Sequence, residues 1–132
     1  MRAGRSCVLT QWSDRLLLFH AAQMEVDMAT YIALVNFTDQ GVRHVRQTIE
    51  RAKALVNAGA NLGVKIKDIY WTMGGFDAVF IAEAPDDETV TAFAMSMGSL
   101  GNIRTQTLRA FSADEMKRII EKFPAGNFVA AK

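Results

Sequence analysis

The chain has 132 residues, half of them hydrophobic and 22% charged, which fits one folded domain and excludes a disordered polymer. Fifteen basic residues against 14 acidic ones give a net charge of +1, which argues against a nucleic-acid-binding surface with a basic face. The single cysteine, Cys7, excludes an intramolecular disulfide and a multi-cysteine metal site, and fits a reducing, cytoplasmic setting.

Residues 1–27 differ from the rest. Arg2 and Arg5 resemble a signal n-region, but Asp14 and Arg15 interrupt the apolar run, and Leu16 to Phe19 is too short to span a bilayer. The segment reads as a poorly structured extension, or as sequence upstream of a natural start at Met24 or Met28. A surface amphipathic helix over Ser13 to Val26 is the alternative, weakened by its lack of a Lys/Arg cluster. No membrane partner is expected.

Thr30 to Phe37 reads as a strand. Its apolar residues fall on both alternation phases, so it belongs at the centre of a sheet. Thr38 or Asp39 can cap a helix running from about Gly41 to Ala60, with Val42, Val45, Ile49, Ala52 and Val56 predicted as its buried stripe. Val64 to Thr72 and Phe76 to Ala84 then read as the arms of a hairpin around a two-residue Gly74-Gly75 turn. That register puts Asp68, Tyr70, Thr72, Asp77, Val79 and Ile81 on one face. Ile69, Trp71, Met73, Phe76, Ala78 and Phe80 fall on the other, expected to be the core. Pro85 and three acids start a second helix, with Val90, Phe93, Ala94 and Met97 inward. Asn102 to Phe111 is a more polar, edge-type strand. Ser112 to Glu115 is a capping box opening a last helix that presents Met116, Ile119, Ile120 and Phe123 and stops near Pro124.

The order strand, helix, strand, strand, helix, strand, helix predicts an α+β, ferredoxin-like βαββαβ fold with an extra C-terminal helix. Its four-stranded antiparallel sheet has the order 4-1-3-2. The domain spans residues 28–123, and 124–132 form a tail. Both crossover helices cover one face of the sheet. The mixed face stays open, and two copies are expected to pair through it, making a homodimer or higher oligomer.

The segment Trp71-Thr72-Met73-Gly74-Gly75-Phe76-Asp77 resembles the GYD domain family, named for a Gly-Tyr-Asp triplet. Similar to family segments as well are Met28 to Ile32, Phe37 to Gly41, Asp68 to Trp71, Glu83 to Asp87, Gly98 to Asn102 and Thr107 to Phe111. Phe76 stands where the family has tyrosine, so a role for that phenol does not carry over. The resemblance implies a small bacterial ferredoxin-like or dimeric α+β-barrel domain and no particular reaction.

Asp77 is the leading site candidate: an acid in an otherwise apolar strand binds a polar ligand, acts as acid or base, or accepts structural hydrogen bonds. Tyr70, Thr72 and Arg104 join it as candidate ligand-binding residues, for a small polar or aromatic ligand held between paired sheets. Arg104 and Arg109, on opposite phases, either hold an anion or guard a sheet edge. Trp71 is expected in the core. His44, off the helix stripe, reads as solvated in preference to a proton shuttle. The two histidines and one cysteine give no support for zinc, and no cofactor is expected. Two functions remain open: a homo-oligomeric small-molecule-binding or interaction module, or a small dimeric α+β-barrel enzyme of isomerase or monooxygenase type using Asp77.

Overall fold

The computed structural model describes residues 28–125. The expectations for residues 1–27 and for most of the C-terminal tail lie outside them. A four-stranded antiparallel sheet is built from β1 (Ala29–Phe37), β2 (Lys65–Trp71), β3 (Ala78–Ala84) and β4 (Ile103–Ala110). Its order, β2-β3-β1-β4, is the one expected, with β1 and β3 central. Four helices accompany it: α1 (Asp39–Arg43), α2 (Thr48–Asn61), α3 (Asp87–Ser99) and α4 (Ala113–Glu121). The architecture is the ferredoxin-like βαββαβ fold with an added C-terminal helix.

Alternation along the central strands defines the layers. Tyr31, Ala33 and Val35 of β1 and Ala78, Phe80, Ala82 and Ala84 of β3 are buried beneath the helices. Val90, Phe93 and Met97 of α3 close this core, as expected from the sequence. The small side chains of Ala33, Ala78, Ala82 and Ala84 let helices approach the sheet closely, while Phe93 supplies bulk. Asp86 caps α3 by accepting from the Thr89 N–H at 2.7 Å.

The first crossover differs from expectation. The single helix predicted from Gly41 to Ala60 is broken at His44 (φ −108°, ψ 27°) into α1, a 3-10 turn over Val45–Gln47, and α2. Thr38 caps α1, its hydroxyl oxygen accepting from the Gly41 N–H at 3.1 Å. The same residue ties α1 to the loop before β4. The Thr38 N–H donates to Asn102 O at 3.1 Å, and its hydroxyl donates to Gly101 O at 2.5 Å. A Cβ on Gly41 would lie 2.0 Å from Asn102 O, so only glycine admits this approach. With α1 pinned there, α2 restarts on a rotated face. Thr48, Arg51, Leu55 and Gly59 turn inward together with Ala52, the one member of the predicted stripe that does, while its valines and isoleucine stay outside. Val42, Val45 and Ile49 are 54%, 42% and 57% exposed. Gly59 fits this inward face because a Cβ there would stand 3.2 Å from the Phe93 ring.

The hairpin keeps its predicted register: Tyr70 pairs with Val79 and Asp68 with Ile81. The turn is longer than predicted. The Thr72 N–H donates to Asp77 O at 2.9 Å, leaving a four-residue loop, Met73 to Phe76, in which only Gly74 has positive φ. Met73 is therefore not core but 92% exposed at the loop tip. The last helix is also less buried than its pattern suggests. Met116, Ile120 and Phe123 are 45%, 53% and 66% exposed, since α4 follows an edge strand and lies beyond the main core.

Candidate functional site

The sheet face opposite the helices is uncovered among the described residues. Its centre is apolar and half-exposed: Ile32 and Leu34 of β1 lie between Val79 and Ile81 of β3 on one side and Leu108 of β4 on the other. At one end the face becomes polar. Thr72, Asp77, Asn36 and Arg104 form a row across the four-strand order, with Asn36 paired to Arg104, and Tyr70 stands in the next row. The four candidate residues read from the sequence thus share one end of one face.

They do not form a hydrogen-bonded constellation. The Asp77 carboxylate accepts from the Phe37 N–H at 2.8 Å, and the Asp77 N–H donates to Val35 O at 2.8 Å. The carboxylate therefore stands in for a ladder carbonyl and terminates β1. The Thr72 hydroxyl donates to Phe76 O at 2.6 Å and fixes the loop. Arg104 lies two strand spacings from Asp77, roughly 10 Å between backbones, and the two side chains form no ion pair. Tyr70 is exposed on this face. His44 is exposed too, its Nδ1 2.9 Å from Gln40 O, which matches the solvated reading.

Arg109 faces the other way, beneath the helical layer, beside Tyr31. Its guanidinium pairs with Glu115 at 2.8 Å and lies over the rings of Tyr31 and Phe111, 5.6 and 4.6 Å from their centroids. Glu115 also accepts from the Ser112 N–H at 3.2 Å and completes the predicted capping box. Together these bonds, the Arg109 bond first, hold the Glu115 carboxyl below its ordinary range. The Tyr31 hydroxyl donates to Asp87 at 2.5 Å. Burial first, and then this bond to a carboxylate, push the phenol up to about 12. The cluster joins β1, α3, β4 and α4. The sequence reading placed Arg109 but missed Tyr31 and Asp87. The available signal was a tyrosine on the inward phase of a central strand, whose buried hydroxyl needs a partner.

A second feature escaped the sequence reading. On the helical side a cavity of about 270 Å³ opens between α2 and α3, walled by Val35, Leu55, Phe80, Phe93 and Met97. Trp71, expected in the core, stands 45% exposed beside it. Its indole N–H donates to the Thr48 hydroxyl at 3.0 Å. Among the described residues no cluster of three His, Cys, Asp or Glu could hold a metal ion, and no helix is long and apolar enough to cross a membrane.

Fold and surface define a small α+β domain of ferredoxin-like topology with one largely apolar sheet face that the described residues leave uncovered. The chain belongs to the GYD domain family, whose model matches residues 31–120. It is also 30% identical over 90 residues to the glutamine synthetase and cystathionine beta-lyase binding protein of Thermus thermophilus. That match spans 67% of this chain and 95% of the relative. No solved structure gives a significant match. The segments carrying the family resemblance meet in space. Thr38 to Gly41 lock against Leu100 to Asn102, and the Thr72 to Asp77 loop closes on the end of β1. What these segments share is therefore structural: each holds a crossover or turn in place.

Proposed function

We propose that this chain is a protein-interaction module that self-associates through the bare face of its sheet and binds metabolic enzymes. The observation behind it is the row of Ile32, Leu34, Val79, Ile81 and Leu108, a contiguous apolar surface that none of the described residues covers. A two-fold pairing buries the same patch from both copies. It also places the two polar ends, with Tyr70, Thr72, Asp77 and Arg104, beside the interface, where a small polar or aromatic ligand would sit. The exposed side of α2 and the apolar side of α4 remain for other proteins. The partners in the name of the Thermus relative, glutamine synthetase and cystathionine beta-lyase, support this choice of partner class.

Light scattering on the purified chain tests the first part. A dimer or larger species is expected, and Ile81→Asp should shift it to monomer, because an unpaired charge at the centre of the patch opposes burial. A wild type that is monomeric at working concentration refutes self-association. Calorimetric titration of purified glutamine synthetase and cystathionine beta-lyase from the same source tests the second part. No binding to either enzyme refutes that partner class.

A further inference from the structure

The cavity on the helical side has a shape and a charge that the sheet-face reading does not use. α2 and α3 meet where Gly59 faces the Phe93 ring, and the cavity lies along the N-terminal half of α2 and the C-terminal half of α3. Its volume is about 270 Å³. An apolar cavity of about 150 Å³ is enough to admit benzene, so an aromatic ring with a short arm fits here. Most of the wall is hydrocarbon or aromatic: Val35, Leu55, Ile69, Phe80 and Met97 supply the greater part.

One charged group lines it, Arg51. Its guanidinium donates to His44 O at 2.8 Å and to Gly41 O at 3.2 Å, carbonyls at the end of α1. Those bonds occupy two of its five N–H groups. It has no carboxylate partner within ion-pair distance among the described residues, although it is half-buried. A permanent cation at an apolar wall, with donors to spare and no acid to neutralise it, matches an anion with a hydrophobic body. Carboxylate geometry suits the guanidinium fork.

We propose that this cavity binds a small apolar carboxylate, its ring seated between α2 and α3 and its carboxylate held by Arg51. Thr48, fixed by the Trp71 indole, stands at the same wall as a second polar contact. The site lies on the opposite side of the sheet from the self-association surface and does not depend on it.

The test uses phenylacetate and indole-3-acetate, each beside its neutral amide. Trp71 reports binding by fluorescence in a Trp12→Phe background, which leaves it as the sole tryptophan of the two in the chain, and calorimetry supplies an independent readout. The acids should bind saturably, and the amides at least about tenfold more weakly, the difference expected for losing a charge-assisted pair. Arg51→Gln should abolish that difference. Ala52→Phe, or the smaller Ala52→Leu, fills the cavity and should remove binding of acids and amides alike; circular-dichroism melting confirms that each variant is folded. Equal affinity for acids and amides overturns the role of Arg51. Unchanged affinity in a folded Ala52 variant overturns the location. No saturable binding of either acid up to about 10 mM overturns the proposal as a whole.

Discussion

Gly41→Ala is predicted to destabilise the protein although it improves helix propensity. Gly41 has no positive φ and sits inside α1, so alanine by itself gains up to about 1 kcal/mol there. Against that gain stands geometry: the new Cβ would lie 2.0 Å from Asn102 O, when ordinary contact begins near 3.4 Å. The obstacle is backbone and cannot rotate away. α1 and the loop before β4 must separate by more than an ångström. Opening that junction removes the Thr38 to Asn102 hydrogen bond, about 1 kcal/mol. The strain of overpacking adds about 1–3 kcal/mol. The expected net loss is therefore about 1–3 kcal/mol. Gly98→Ala is the control, because its Cβ would meet nothing within 4 Å near the end of α3. It should stabilise by roughly 0.4–1 kcal/mol. Urea unfolding followed by circular dichroism measures both. A Gly41→Ala midpoint equal to or above wild type would show that the α1 junction yields freely and would refute the reasoning.

Tyr31 gives a pH signature. Its phenol is raised in the folded state from 10.0 to about 12, so the native protein holds this proton more tightly than the unfolded chain. The stabilisation is fully present below pH 10 and lost as pH rises towards 12. Tyr31→Phe should cost about 1.5–3 kcal/mol on the neutral side, the worth of a hydrogen bond to a carboxylate, and the gap to wild type should close with rising pH; a gap that does not change contradicts the assignment. For Glu115 the sign reverses. Its carboxyl is depressed by Arg109, so its contribution is present above the ordinary carboxylate range and disappears as pH falls through the folded value. Acid unfolding of Glu115→Gln should converge with wild type at low pH, and curves that stay parallel would exclude the pair. Asp77→Ala should cost about 1.5–3 kcal/mol, because it leaves the Phe37 N–H without its charged acceptor. Asp77→Asn should lose less, since its amide oxygen still accepts; equal losses in the two variants, by urea unfolding, would mean that this bond is not what matters.

The sequence carries the order of the strands and main helices, the sheet order and the hairpin register. Those follow from local rules: alternation in β1 and β3, the acidic start of α3, the capping box at Ser112, and Gly74 in the connection between two β-type runs. It also put Tyr70, Thr72, Asp77 and Arg104 on one face, because register fixes side-chain direction. Tertiary structure decided which apolar stripe of the first crossover is buried. Val42, Val45, Ile49 and Val56 have helical spacing, but spacing does not reveal that Gly41 abuts Asn102 or that the helix breaks at His44 and restarts on a different face. It likewise decided that the Asp77 carboxylate serves the β1 backbone and that Tyr31 reaches Asp87, 56 positions away in sequence. The cavity beside Arg51 was out of reach for the same reason. Its walls come from both helices and all four strands, and no periodicity within one element records the distance between two.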